Sequence, residues 1–168
     1  MRFPRPRRVR LTYYELAMAS DVGRRRHIES ILKGSTHRVA HEQGEARGWQ
    51  QNINGACGEC CVAKATGRYW GGTTETFKRE GDVGRGVEVK TRSRHEDKLI
   101  VRPDEPDEAM FWLVTGLAPE WLVWGWMLGG AAKRKEWLED PNGWGEAYFP
   151  PHEALEPLPR PRGWAGCV

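Results

Sequence analysis

Gly81-Asp82-Val83-Gly84-Arg85-Gly86-Val87-Glu88-Val89-Lys90 is the stretch on which the reading of the fold turns. It predicts two strands, Asp82-Val83 and residues 87–92, joined by a Gly-rich reversal. Val87, Val89 and Thr91 alternate with Glu88, Lys90 and Arg92, a period of two. Residues two apart on a strand point to the same side. Glu88 and Lys90 therefore share a face, and the reversal brings the Asp82 carboxylate towards them. Two carboxylates and an amine at the edge of a small sheet can hold a hard divalent cation and a water molecule.

Upstream, Thr12 and Glu15 have the spacing of a capping box, which predicts a helix over residues 13–19. Asp21 suits the cap of a second helix that ends at Gly34 and carries Arg24, Arg25 and Arg26 in its first turn. Residues 35–50 are polar and read as loop. A third helix is expected over residues 53–65, stopping at Gly67. Its small residues, Ala56, Cys60 and Ala63, suit close packing on a sheet. Glu59 lies among them, and a carboxylate in such surroundings calls for a metal, a Lys or an Arg.

Downstream, residues 68–70 and 73–77 read as short strands around Gly71-Gly72. Residues 99–102 form another extended piece. The acidic run 104–108 reads as a loop or a single helical turn. The most apolar segments, 111–115 and 121–127, read as strands buried on both faces. A short helix over 131–138, an edge strand over 147–149 and a closing turn complete an α/β domain spanning residues 11–156. Residues 1–10 read as a flexible basic arm and 157–168 as a frayed tail.

The chain has 168 residues and a formal charge of +3, a length that suits one domain with a real core. Lys and Arg outnumber Asp and Glu by 11 to 5 over residues 1–50 and by 9 to 7 over 51–100; over 101–168 they are outnumbered, 6 to 11. The basic half adjoins the Asp82–Glu88 cluster, where it would draw a polyanion. A solvated arm that aids solubility would show the same bias. No apolar run is long enough to span a membrane, and the start has no signal-peptide pattern, so the expected location is the cytoplasm. Cys57, Cys60 and Cys61 crowd together without a second ligand pair for zinc, and read as small buried residues of a reduced protein.

Glu59, then Asp82, then Glu88-Val89-Lys90 resemble the PD-(D/E)XK nuclease superfamily, which includes restriction enzymes, phage exonucleases and junction resolvases. The resemblance covers residues from about 53 to 92 and extends more loosely to about 138. Gly81 stands where the family usually has Pro. The resemblance implies a restriction-endonuclease-like core, a central mixed β-sheet flanked by helices. It also implies hydrolysis of DNA phosphodiester bonds with Mg²⁺ or Mn²⁺ as cofactor. Asp82, Glu88 and the Val89 carbonyl would bind the metal, Glu59 would bind a second one directly or through water, and Lys90 would position the water or stabilise developing charge.

Arg24, Arg25, Arg26, Thr91, Arg92 and Arg94 are the candidate contacts to nucleic acid, with Lys133, Arg134 and Lys135 as further phosphate clamps. Each of these basic clusters reads equally as a solvated face. His95 could touch a phosphate, whereas His27, His37 and His41 show no metal spacing. Trp124 and Trp126 could form a flat face for a second subunit in a homodimer. The expected function is a Mg²⁺-dependent endonuclease acting on DNA, and a small single-domain enzyme of this kind fits a phage origin. The rivals are a structure-specific Holliday-junction resolvase, a nucleic-acid-binding protein that does not cut, and a protein-interaction module. An ordinary salt-bridged strand pair with Asp82 as a turn residue would show the same three charges.

Overall fold

The computed structural model describes residues 5–34, 40–74, 81–143 and 145–158. The chain is α/β, with helices packed on a four-stranded mixed sheet. Strand β1 is Arg7–Arg10, helix α1 Tyr13–Leu32 and helix α2 Ala40–Thr66. Strands β2 (Val87–Arg92), β3 (Met110–Leu117) and β4 (Glu120–Leu128) follow. The sheet order is β1-β4-β3-β2, with β2 parallel to β3 and the other neighbours antiparallel. Helix α3 (Gly129–Ala132) and a two-stranded ribbon, β5 (Leu138–Glu139) with β6 (Ala147–Tyr148), complete the described chain.

Several expectations are corrected. The basic arm is a strand from Arg7 onward, because Arg7–Arg10 pairs with residues 120–123 of β4 and the Arg7 guanidinium donates to the Ala65 carbonyl. The two helices expected over 13–34 are one. Its start is the predicted capping box, with Glu15 and Thr12 bonding reciprocally. Asp21 caps nothing; it pairs along the helix with Arg24 and Arg25 at 2.8 Å each, so the three arginines lie in mid-helix. Residues 40–50, read as loop, are the first turns of α2. Residues 68–70 are not a strand, and the strand expected over 73–77 falls partly outside the described residues. The helix expected over 131–138 is instead α3 and a separate 3₁₀ turn at Lys135–Trp137. His37, the His41 side chain, Cys167 and the tail beyond 158 also lie outside them.

Close packing explains the long α1–α2 pair. A Cβ on Gly23 would fall 2.4 Å from the Ile53 Cα, and one on Gly48 would fall 2.3 Å from the His27 ring. The two helices touch at positions where only glycine fits. Together they cover one face of the sheet, burying Val9, Val87, Trp112, Val114, Trp121 and Val123. The other face is covered by Leu99, Val101, Ala132 and Leu155, which pack on Phe111, Leu113 and Met127. β3 is thus buried on both faces, whereas β4 alternates.

The flat face expected at Trp124 and Trp126 is taken up by the chain itself. Trp124 stacks on His152 at 4.0 Å and donates to the Thr115 hydroxyl, and Trp126 exchanges backbone hydrogen bonds with Glu156. No helix among the described residues is long and apolar enough to cross a membrane.

Candidate active site at the outer edge of strand β2

β2 is an edge strand, so alternate backbone groups face away from β3. The segment before it uses them. Asp82 N–H donates to the Val87 carbonyl and Val89 N–H donates to Asp82 Oδ2, both at 2.6 Å. Asp82-Val83 forms no strand of its own. Its one ladder contact is a bridge from Asp82 to Gly84, so the expected hairpin is a tight turn clasped against β2.

Gly81 is required by that turn. Its φ is +72°, and a Cβ there would lie 2.4 Å from the Gly84 carbonyl oxygen. Proline, fixed near −65°, cannot take this conformation. Glycine thus holds the place before Asp82 because the chain enters the site from the left-handed region.

The clasp sets Asp82 beside the middle of Glu88-Val89-Lys90. Val89 points its N–H outward to Asp82; the two backbone groups of a strand residue leave on the same side, so its carbonyl faces the same edge. Glu88 and Lys90 project from the face opposite the helices, and the Lys90 amine sits 5.3 Å from the centre of the Phe111 ring. Lys90 also pairs with Glu105, whose other oxygen accepts the Arg102 N–H at 2.7 Å. Glu105 is a member of the site that sequence reasoning missed. It lies in an acidic run with nothing local to single it out, and only the turn at 102–105 brings it to Lys90.

Glu59 approaches from the helix side. It is buried, and the structure gives its carboxylate an occupation other than the expected metal. Arg26 closes on both oxygens, at 2.5 and 2.9 Å, and the Trp70 indole donates to Oε2 at 3.0 Å. Arg26, expected on nucleic acid, therefore turns inward, and its remaining donors go to the Thr73 carbonyl.

The electrostatics follow from this crowding. Burial, and then the neighbouring Glu59 carboxylate, push Asp82 up from 3.8 to about 7, against the lowering effect of the Val89 N–H. Burial also raises Glu88; Lys90 opposes this, and Glu105 and Glu59 add to it. Among the described residues, Glu59 pairs with Arg26 and Glu105 with Lys90, and Lys90 also acts on Glu88.

Arg24, Arg25, Thr91, Arg92, Arg94 and Lys133, also expected on nucleic acid, make contacts within the protein. Arg24 and Arg25 hold Asp21, and Arg92 and Arg94 reach Asp97 at 3.6 and 3.1 Å. Burial of Asp97 works against these arginines, which nonetheless hold its carboxyl below its ordinary range. Thr91 packs its hydroxyl against α2 at Gly58. Lys133 holds Asp107 and the Glu105 carbonyl. His95 bonds the Thr115 hydroxyl at 2.9 Å. Arg85, exposed between Gly84 and Gly86 in the turn itself, has no carboxylate partner among the described residues.

Cys57, Cys60 and Cys61 are buried in α2. Burial pushes the first two thiols up to about 12 and about 11, and raises the third as well. Among the described residues no group of three or more His, Cys, Asp or Glu is set to hold a metal ion. The candidate donors are two carboxylates, Asp82 and Glu88, the second adding to the raised proton affinity of the first, and the Val89 carbonyl on the same edge. That set is too small for a closed cage. It suits Mg²⁺, which keeps several waters and commonly takes one or two carboxylates plus substrate phosphate. Comparison of the chain with protein families, with curated proteins and with solved structures gave no match.

Proposed function

We propose that the protein is a Mg²⁺-dependent nuclease that hydrolyses DNA phosphodiester bonds on a restriction-endonuclease-like core. One observation carries the reading: the Asp82 carboxylate is clasped by the Val89 N–H, in the middle of Glu88-Val89-Lys90 and at an open sheet edge. A pair of partly buried carboxylates with raised proton affinity favours a cation between them. Bound there, Mg²⁺ would neutralise the scissile phosphate and acidify a water.

The chain's own groups do the rest. Asp82 and Glu88 would hold the metal as carboxylates at the outer edge of β2. The Val89 carbonyl adds a neutral oxygen on the same edge. Lys90, steadied by Glu105 and lying over Phe111, keeps its ammonium at the reacting phosphate and stabilises charge that grows on its oxygens. Glu59 contributes at one remove. It holds Arg26 and Trp70 in place, and its charge raises the proton affinity of Asp82.

The test is cleavage of supercoiled plasmid, linear duplex, single-stranded and branched DNA with Mg²⁺. The expected result is cutting that stops with EDTA and falls by about 10²–10³-fold in Lys90→Ala, with the circular dichroism spectrum unchanged. The preferred substrate then separates a general endonuclease from a junction resolvase. Cutting that survives in Asp82→Ala, or its absence from all four substrates with Mg²⁺ and with Mn²⁺, would overturn the proposal.

A further inference from the structure

The turn that delivers Asp82 also presents an arginine. Val87 N–H donates to the Gly84 carbonyl at 3.2 Å and closes a β-turn over residues 84–87. Arg85 is its second residue and Gly86 its third. Gly86 has a φ of +74°, the sign that a type II turn needs at that position. The corner is tied down on both sides. The Gly86 carbonyl accepts the Met110 N–H of β3 at 2.8 Å, and the Val87 carbonyl accepts the Asp82 N–H at 2.6 Å. Backbone bonds alone thus fix where Arg85 stands, with no contribution from its side chain.

Arg85 is exposed, and among the described residues no carboxylate pairs with it, although Asp82 and Glu88 are each three residues away. Three peptide units span at most about 11 Å between Cα atoms, and the turn shortens this. Arg85 therefore stands beside any anion held at the Asp82–Glu88 edge. A Cβ on Gly84 or on Gly86 would meet nothing within 4 Å, so the corner is open on either side of the arginine among the described residues. Flanks without side chains let a ligand come close to the backbone. The arginines first expected on nucleic acid differ in this respect. Arg24 and Arg25 hold Asp21, Arg26 holds Glu59, and Arg92 and Arg94 hold Asp97.

From this we infer that Arg85 grips a phosphate that flanks the scissile one, as a substrate-binding residue of the site. The inference rests on the nuclease reading of the Asp82–Glu88 edge and adds a substrate contact to it. A guanidinium takes two phosphate oxygens at once in the plane of its fork. Phosphate contacts place the nucleic-acid backbone and read no bases, so this one serves DNA of any sequence. The gripped phosphate does not react. Its contact is therefore equal in the ground state and the transition state, and acts on KM and not on kcat. A merely solvated turn arginine would have the same exposure, but it would add nothing to the salt dependence of DNA binding.

The test has two arms, both on the full chain. Binding of labelled duplex and single-stranded DNA is read by fluorescence anisotropy with Mg²⁺ in the Lys90→Ala background, over a range of salt. Cleavage kinetics are read with Lys90 in place. Arg85→Ala and Arg85→Lys are compared with Arg8→Ala, which removes the same charge from β1, at the opposite edge of the sheet and three strands away. Arg85→Ala is expected to reduce the slope of log affinity against log salt by about 1. It should raise KM about tenfold and keep kcat within about twofold. Arg85→Lys should keep the slope and recover part of the affinity, and Arg8→Ala should match the parent in both arms. The urea midpoint of Arg85→Ala should be that of wild type, since the side chain pairs with no carboxylate. An unchanged slope in Arg85→Ala would overturn the inference. So would an equal loss of slope in Arg8→Ala, or a fall in kcat with KM unchanged. A protein that cuts nothing yet loses slope in Arg85→Ala keeps this contact and loses the nuclease reading. Lys90-dependent cutting with the same KM and slope in Arg85→Ala does the reverse.

Discussion

The Arg26 guanidinium spans both oxygens of the buried Glu59 carboxylate, at 2.5 and 2.9 Å. Such a pair is a weak source of net stability, but breaking it from one side is costly because the other charge is left buried and alone. Arg26→Ala is expected to cost about 3–5 kcal/mol in urea unfolding. Arg26→Lys should recover only part of this, since an ammonium cannot span two oxygens in the plane of a fork. The double variant Arg26→Ala/Glu59→Gln should be more stable than Arg26→Ala. If it is equally unstable, the damage comes from lost packing and not from the stranded carboxylate.

Asp82 ties stability to pH. In the unfolded chain its carboxyl titrates near its ordinary value of 3.8, and in the folded protein near about 7. Between these values the folded state holds a proton that the unfolded chain has released. Its contribution therefore declines as pH rises through that window and is level above it. Thermal melts in EDTA should show this decline, and Asp82→Asn should flatten it. The proposed Mg²⁺ site would take the ion on ionised carboxylates, so Mg²⁺ should raise the Tm more above pH about 7 than below pH about 5. A Mg²⁺ effect equal at both ends would mean that the ion binds elsewhere.

Gly81 gates the position of Asp82. A Cβ would strike the Gly84 carbonyl, and the φ of +72° is strained for any L side chain. Gly81→Ala is expected to destabilise by about 1–3 kcal/mol. Under the proposed nuclease function it should also reduce cleavage more than that loss of folded protein explains, because the turn that delivers the carboxylate must shift. Activity per folded molecule, measured well below the Tm, is the readout. Unchanged activity would show that Asp82 does not depend on this turn.

Gly58 sets the distance between α2 and β2. A Cβ on it would lie 1.9 Å from the Thr91 hydroxyl and 2.9 Å from the Thr91 Cβ. Gly58→Ala should therefore force α2 off the strand, at a cost of about 1–3 kcal/mol by urea unfolding. Adding Thr91→Ala removes the nearest atom but leaves the Cβ, so rescue should be partial. Full rescue would place the strain in the hydroxyl alone, and none would place it in the backbones.

What could be read along the chain was whatever depends on neighbours a few residues apart. The Thr12–Glu15 capping box joins groups three residues apart, and the alternation over Val87–Arg92 follows from the pleat of a single strand. The grouping of Asp82 with Glu88 and Lys90 was legible for the same reason, since six to eight residues around a glycine turn cannot place them far apart. The rest depended on contacts across the chain. Arg7–Arg10 is a strand only because β4, 110 to 116 residues later, offers it an open edge. The helical first turns of α2 lack an apolar stripe, and they lie beside α1 where Gly48 admits the His27 ring. Asp21 looked like a helix cap, yet it serves as a partner for arginines one turn on. Residue types and local spacing determined that acids and a lysine meet at the edge of β2. Packing of α1 on α2, and the turn before β3, decided which are already neutralised. Glu59 finds Arg26 from 33 residues away and Lys90 finds Glu105 from 15. An ion pair over such separations forms only where the folded core has already covered the entropy of closing the loop between them.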